Sequence, residues 1–454
     1  MSAAERPWEG RRLHFVGVGG AGMSAYARAA AALGAAVSGS DAASTPYLRR
    51  LAEDRVVEAV VGHAPGNVPV GGDVELVYSS AVPAENIERR VARERGLRER
   101  PRAELLAELS ALRRTIAVAG THGKTTTASM LVHALRGAGI EPGWLIGAPP
   151  GGDLPNARWS AGEWLVIEAD ESDRSMLSLS VAIALLTNVE LDHHATFASL
   201  AQLREAFGAF LALAREAVVI WNRPELLALV GDAPSRELVS FDAPGALVGP
   251  GGVGFRWRGQ DVALAVLGVH NALNAVAALE GARLAGAEVA RAAGALAGFH
   301  GAGRRFELVG RTPRGALVYD DYAHHPSEVA ATLAAARTLG RERLVAVFQP
   351  HLYSRTGLLA RELGAALAAA DVIVVTDVYA AREHAADHPG VSGLLVAAAA
   401  ADAAHGRPVF WLPTLADAER ELRTLLTAGD VCVVMGAGDV DVLARALAER
   451  GSGE

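Results

Sequence analysis

Short apolar runs, most followed by a loop and a longer Ala/Leu stretch of helical period, set the tightest limit on how this 454-residue chain can fold. LHFVGV, TIAVAG, WLVIEAD, AIALLTNV, AVVIWN, RLVAVFQP, DVIVVTDVY and DVCVVMGAG each read as a strand buried on both faces. Such strands belong to parallel sheets covered by helices, because the crossover between parallel neighbours needs a helix. The rhythm breaks twice. The charged stretch 88–114 closes a first block, and RTPRGA near 311–316 closes a second. Residues 222–260 are Pro/Gly-rich with short strand-like pieces. The expected fold is α/β with three domains, each on a mostly parallel sheet with flanking helices: 1–112, 113–312 and 313–454.

Hydrophobic residues make up 51% of the chain and charged residues 21%, which suits packed domains and excludes disorder. A formal net charge of −8 argues against a general nucleic-acid or anionic-membrane binder. Cys432 is the single cysteine, so no intrachain disulfide is possible, and its run VCVVMG predicts a buried strand position. The first residues, MSAAERPWEGRR, lack the apolar core of a signal peptide, and no apolar run is long enough to span a membrane. The expected compartment is the cytoplasm.

Two glycine loops carry the chemistry. The first strand runs into GVGGAGMS, where Gly17, Gly19 and Gly22 satisfy G-x-G-x-x-G between a strand and a helix. Such a loop lets backbone N–H groups approach a pyrophosphate at a helix N-terminus. Asp41, 19 residues after Gly22, falls near the end of the expected second strand and suits a ribose contact. The pattern fits NAD and fits a UDP-sugar equally, and a turn that only packs helix on strand also satisfies it. His63 and Ser80 stand at the ends of later elements.

The second loop is more specific. Strand TIAVAG leads into Gly120, Thr121, His122, Gly123, Lys124, Thr125 and Thr126, and then into a helical pattern. Lys124 is the only lysine in the chain; every other basic residue among the 43 Lys and Arg is arginine. A compact ammonium on a flexible stem follows a phosphoryl group in transfer, which a rigid guanidinium fork does not. Glycines expose N–H groups to phosphates, Lys124 reaches the β- and γ-phosphates, and the Thr125 hydroxyl suits Mg²⁺. Val118 stands where the long form of this loop has its first glycine, so this is a shorter variant. Acidic residues at later strand ends supply further ligands: Glu168, with Asp170, Glu171 and Asp173 behind it, then Asn188, Asp192 and His193.

The residues now quoted, with HNALNA, GAGRRFE, DDYAHHPSE, VFQPHLYSRT, DVYAAREH and the terminal GAGD in order, resemble the Mur ligases, ATP-dependent enzymes of peptidoglycan precursor synthesis. The likeness covers nearly the whole chain and points to the branch that adds L-alanine to UDP-N-acetylmuramate. It implies a Rossmann-like sugar domain, a P-loop ATPase domain, and a Rossmann-like C-terminal domain that closes over ATP and the amino acid. It implies ATP as co-substrate and Mg²⁺ (or Mn²⁺) held by Thr125, Glu168 and His193, with Lys124, Glu168 and His193 as the catalytic group. The phosphate loop is 120–126. His270, Asn271 and Asn274 match the adenine-contacting stretch, Arg305 an ATP-phosphate contact, and Asp321 and His324 the ribose and γ-phosphate contacts. His351, Arg355 and Arg382 lie where the resemblance places the amino-acid and product carboxylates. Gly17, Gly19, Gly20, Ala21, Gly22, Met23, Ser24, Ser40, Asp41, His63 and Ser80 would line the UDP-sugar site. Val269 and Arg382 depart from the pattern, which has arginine and glycine there. A carbamylated lysine, used by some members, is excluded by the lysine count. The recycling ligase that takes a tripeptide and, from another class, an NAD-dependent oxidoreductase are the alternatives.

Overall fold

A computed structural model describes residues 6–448 apart from 72, 153, 195 and 232–235. The described residues contain four sheets. They divide into two compact units. The first runs up to Asp242 and includes Trp257–Gln260 and Leu273–Leu296; the second holds Ala243–Arg256, Asp261–Ala272 and everything from Ala297 onward.

The first unit carries one parallel and one mostly parallel sheet. One has five strands in the order Glu58–Val61, Ala36–Asp41, Arg12–Val16, Val74–Tyr78 and Arg98–Pro101, all parallel. The chain starts in the middle, lays two strands to one side, then crosses to the other. That reversal leaves a crevice at the carboxyl ends beside Arg12–Val16, where ligands of such sheets bind. The second sheet repeats the device around Arg114–Ala119, with Trp164–Glu168 on one side and Ile183–Leu186 on the other, all three parallel. Ala217–Trp221 and Glu237–Phe241 extend it on one edge, and Gly143–Leu145 and the antiparallel Ala157–Arg158 on the other. One apolar cluster runs through both sheets, with Phe15, Leu105, Leu109, Leu165, Phe197 and Phe207 all fully buried in it.

The charged stretch that closes the first block is structured. It contains the helix Ile87–Glu94, the edge strand Arg98–Pro101 and the helix Arg102–Ala111. Its charges are paired: Arg100 meets Glu75 (2.9 Å) and Glu108 (3.0 Å), and Arg11 meets the same two carboxylates (2.6 Å each). The desolvated guanidinium of Arg100 is tolerable because both partners reach it.

The second unit holds a six-stranded sheet in the order Glu307–Arg311, Leu317–Asp321, Asp430–Met435, Arg343–Phe348, Val372–Val375 and Val409–Trp411. All neighbours are parallel except the first pair. Strand periodicity explains its sequence. Leu344, Ala346 and Phe348 feed one apolar layer, and Val345 and Val347 feed the other. Val431, Val433 and Met435 alternate with Cys432 and Val434 in the same way. Each such large side chain contributes about 1.5–3 kcal/mol by leaving water. Cys432 is fully buried, and burial pushes its thiol up to about 12, so it is an inert core residue. The Pro/Gly-rich segment yields the small sheet Leu247–Gly249, Gly252–Trp257 and Gln260–Leu264.

Glycines set the closest helix packing. Gly364, on the helix Tyr353–Leu367, lies so near the helix Gly393–Ala403 that an added Cβ would meet the carbonyl carbon of Ala399 at 2.5 Å. Gly364→Val is expected to destabilise the second unit by about 3 kcal/mol through overpacking, read as a lower midpoint in denaturant unfolding.

Candidate active site

The phosphate loop stands where the fold predicts a ligand. Strand Arg114–Ala119 ends at Gly120 (φ 134°), and Gly123 (φ 79°) caps the helix Lys124–Gly137. Both angles favour glycine. A Cβ on Gly120 would sit 2.0 Å from Thr187 Oγ1, and one on Gly123 would sit 2.6 Å from Asn274 Oδ1. The next strand end fastens the loop. Thr121 N–H donates to Asn188 O (3.1 Å), His122 N–H to Asn188 Oδ1 (2.9 Å), and Thr187 Oγ1 to His122 O (2.7 Å). Thr121 Oγ1 donates to Glu190 O and accepts from Glu190 N, both at 2.9 Å. The His122 ring lies 3.5 Å from the Glu190 carboxylate.

Lys124 folds back over this loop. Its ammonium donates to Gly120 O (2.7 Å), Thr121 O (3.1 Å) and Glu171 Oε1 (3.0 Å). Burial works against its charge, but Glu171 and Asp170 outweigh that and hold its pKa above the ordinary value. Thr125 Oγ1 donates to Glu168 Oε1 (2.8 Å), and the other Glu168 oxygen accepts from Gly147 N (2.7 Å). His193, at a left-handed φ of 54°, sets Nε2 3.4 Å from Glu171 Oε1 and 3.9 Å from Asp192 Oδ2. Burial lowers the His193 pKa, yet the Glu171 bond and the Asp192 charge turn the net shift upward.

Ligand atoms of Asp170, Glu171 and His193 lie within 4.8 Å of one another, and Asp170 and Glu171 follow closely on Glu168, the partner of Thr125. Mostly oxygen donors around one loop suit a hard divalent cation such as Mg²⁺. The Glu171 Oε2 atom is buried without a hydrogen bond, though the Lys124 ammonium lies 2.9 Å away, an electrostatic contact of poor alignment. An unsatisfied carboxylate oxygen of this kind fits a site built for a cation.

The first glycine loop forms as expected, with Gly17 at φ 84° and the helix Ala21–Ala32 capped by Gly20. Asp41 is spent on the loop itself: Oδ2 accepts from Gly19 N (2.8 Å) and Oδ1 from Ala43 N (3.2 Å). Ser40 is fully buried behind His63, while Ser80 is exposed. Met23 and Ser24 are buried, and Asn156 Nδ2 donates to Ala21 O (2.9 Å) and Ser24 Oγ (3.1 Å). Arg102 ties this region to the acidic segment, with Nε donating to Asp173 (2.6 Å) and Nη2 to Asp170 (3.1 Å). Burial pushes the Asp170 carboxyl up, but Arg102 and Lys124 outweigh it and hold it well below the carboxylate range. Arg102 and Asn156 had no site role in the sequence; Arg102 was hidden in a run of like residues, where nothing singles out one arginine.

In the second unit, Asp321 is buried and accepts from Phe306 N (2.9 Å) and Ala323 N (2.7 Å); burial, only partly offset by Arg305, pushes its carboxyl up to about 6. Arg305 lies over the Tyr322 ring (5.1 Å) and 3.8 Å from Glu328. The His324 and His351 rings stand edge to face (6.0 Å), and Arg355 Nη1 lies 3.2 Å from His351 Nδ1. Arg382 is exposed, and among the described residues no hydrogen bond or ion pair joins it to these groups. On the helix Val269–Leu284, His270 and Asn271 fall in the second unit and Asn274 in the first. Burial pulls His270 down to about 4, and Asn271 Nδ2 donates to Leu267 O (2.7 Å).

Three family descriptions match in order: Mur ligase family, catalytic domain over 12–114, Mur ligase middle domain over 118–282, and Mur ligase, glutamate ligase domain over 304–438. The chain belongs to the Mur ligase family. It is 40% identical over 469 residues to the UDP-N-acetylmuramate–L-alanine ligase of Syntrophomonas wolfei, covering 97% of each chain. Its structure resembles the UDP-N-acetylmuramate-alanine ligase of Thermotoga maritima, with a TM-score of 0.81, 26% identity, and 96% of this chain and 98% of that one covered. A murein peptide ligase from Psychrobacter arcticus aligns with a TM-score of 0.72 at 25% identity, covering 96% and 98%. In this Mur ligase the three domains are mostly parallel sheets flanked by helices.

Gly120→Ala is expected to strain the loop by about 1–3 kcal/mol and to weaken ATP binding by on the order of tenfold or more. Titration calorimetry of the variant against wild type measures it.

Proposed function

We infer that this Mur ligase joins L-alanine to the lactyl carboxylate of UDP-N-acetylmuramate at the expense of ATP, in peptidoglycan precursor synthesis. The observation that carries the reading is the single lysine of the chain, set at a helix N-terminus beside the acidic end of the strand Trp164–Glu168, in a sequence that matches an alanine-adding relative over 97% of its length.

The chemistry follows in two steps. A carboxylate oxygen of the sugar attacks the γ-phosphorus of ATP, the bond to the β,γ-bridging oxygen breaks, and ADP leaves an acyl phosphate. The alanine amine then attacks the acyl carbon, phosphate departs with the former carboxylate oxygen, and the nitrogen loses a proton. Lys124 exchanges loop carbonyls for phosphate oxygens and stabilises the charge that moves with the phosphoryl group. Gly120 and Gly123 let backbone N–H groups face the phosphates. Thr125, Glu168 and His193, with Asp170 and Glu171, would hold Mg²⁺, which when bound neutralises the phosphate oxygens.

Gly17, Gly19, Gly20, Ala21, Gly22, Met23, Ser24, Ser40, Asp41, His63 and Ser80 are assigned to the UDP-sugar. His270, Asn271, Asn274, Arg305, Asp321 and His324 are assigned to ATP, and His351 and Arg355 to the amino acid. Arg382 is assigned there as well, by its position in the sequence alone, since the family pattern has glycine there. The divisions 1–112, 113–312 and 313–454 are supported by the matched segments 12–114, 118–282 and 304–438. Among the described residues no helix is long and apolar enough to cross a membrane, which suits a cytoplasmic site of action.

ATP cleavage is expected to require UDP-N-acetylmuramate and Mg²⁺ and to be fastest with L-alanine. Glycine, L-serine and the tripeptide should lag, and a chelator should abolish turnover. Tripeptide-dependent phosphate release would make this a recycling ligase; release with neither sugar nor amino acid would refute a ligase. Lys124→Arg is expected to cut turnover by about a hundredfold or more with the thermal midpoint unchanged.

A further inference from the structure

A buried carboxylate beside the first glycine loop has no role in the chemistry above. Glu88 lies in the first turn of the helix Ile87–Glu94 and is fully buried. Its oxygens collect four donors. Oε2 accepts from the Ser40 hydroxyl (2.5 Å) and lies 3.2 Å from His14 Nε2. Oε1 accepts from Asn67 Nδ2 (2.6 Å) and Ala64 N (3.1 Å). Burial alone would raise its pKa, but the bonds from His14, Ser40, Asn67 and Ala64 bring it down to about 2. Glu88 is therefore ionised under any working condition.

An ionised carboxylate only accepts, and this fixes the direction of the neighbouring bonds. The Ser40 hydroxyl has one proton and gives it to Glu88. The same oxygen lies 3.0 Å from His63 Nδ1, so that nitrogen must supply the proton between them. Glu88 Oε1, 3.6 Å from His63 Nδ1, favours the same arrangement. A neutral His63 thus carries its hydrogen on Nδ1 and leaves Nε2 as a bare acceptor. The His63 side chain is 19% exposed while Ser40 is wholly buried, so the imidazole is the part of this chain that meets a ligand. Glu88 also grips Ala64 and Asn67, which follow His63 in sequence, and so sets the backbone position of the ring.

We propose that Glu88 is a positioning residue for nucleotide recognition: acting through Ser40, it fixes the tautomer of His63 so that Nε2 accepts a hydrogen bond from the nucleoside of the sugar nucleotide, from either the uracil imide N–H or a ribose hydroxyl. The inference rests on the reading of this domain as the UDP-sugar site. Where the donor is the imide, the pocket gains a sign: a bare nitrogen welcomes the imide N–H of uracil and repels the lone pair that cytosine carries at the same ring position.

Two measurements test it. Histidine ¹⁵N spectra of the wild-type chain at mildly alkaline pH, with His63 assigned through His63→Gln, are expected to show the Nδ1–H tautomer; the Nε2–H signature overturns the proposal and needs no Glu88 variant. Calorimetric titration with UDP is expected to show about a tenfold weakening in Glu88→Gln. Glu88→Gln should add no further loss in a His63→Ala background, which a merely structural role would not predict. N3-methyl-UDP, 2′-deoxy-UDP and 3′-deoxy-UDP identify the donor, as the analogue that His63→Gln binds no worse than wild type does. If every analogue loses the same factor between the two proteins, no nucleoside donor meets His63 and the proposal falls. Wild-type affinity in Glu88→Gln overturns this inference alone. Absence of UDP binding by the wild-type chain overturns it together with the reading on which it rests.

Discussion

The Lys124 ammonium, held by Gly120 O, Thr121 O and Glu171, is the contact around which the catalytic half of the first unit is built. A buried cation needs compensation, and here two strand ends supply it while a third fastens the loop. The loop carbonyls follow the strand Arg114–Ala119, Glu171 follows Trp164–Glu168, and the residues that fasten the loop follow Ile183–Leu186. Only a parallel order brings three strand ends to one edge. The sheet topology is thus a requirement of the chemistry. The two left-handed glycines complete it, because any Cβ at Gly120 would enter the space of Thr187.

The five-stranded sheet is joined to this centre by more than chain continuity. Both sheets share one apolar cluster, and polar bonds cross between them at chosen points. Asn156 grips the first turn of the helix after the glycine loop. Tyr47 donates its hydroxyl to Gly147 O (2.9 Å), and Gly147 N in turn donates to Glu168. Arg102 spans from the start of its helix to Asp170 and Asp173. A reaction in which a sugar carboxylate must meet a phosphorus atom gains from such bonds, since misplacement by an ångström costs rate steeply.

Strands were the most legible part of the sequence, because residues buried on both faces leave continuous apolar runs. The phosphate loop was legible for a different reason: a composition that avoids lysine everywhere except position 124 marks the exception. Pairing partners were less visible. Glu171 and Asp170 stood in the acidic segment, but nothing in their spacing says which carboxylate takes the ammonium, since that depends on where neighbouring strand ends converge. Ser40 and Asp41 show the same limit. Adjacent in sequence, they serve different ends, with Asp41 binding the loop backbone and Ser40 relaying Glu88 to His63. Arg102 and Glu88 were hidden because charged runs usually face water, and only the fold reveals which member turns inward. Arg382 is the converse, a residue assigned by position alone, against the glycine of the family pattern, that the structure leaves exposed.

The central claim is that a sugar carboxylate oxygen attacks the γ-phosphorus before the amide forms. It is tested most directly by supplying UDP-N-acetylmuramate with ¹⁸O in the lactyl carboxylate, together with ATP, Mg²⁺ and L-alanine, and weighing the phosphate released. Transfer of one carboxylate oxygen to each phosphate is the expected result, because the oxygen that attacked phosphorus leaves with it. Unlabelled phosphate, released while the amide still forms, would show that no acyl phosphate lies on the path and would contradict the account.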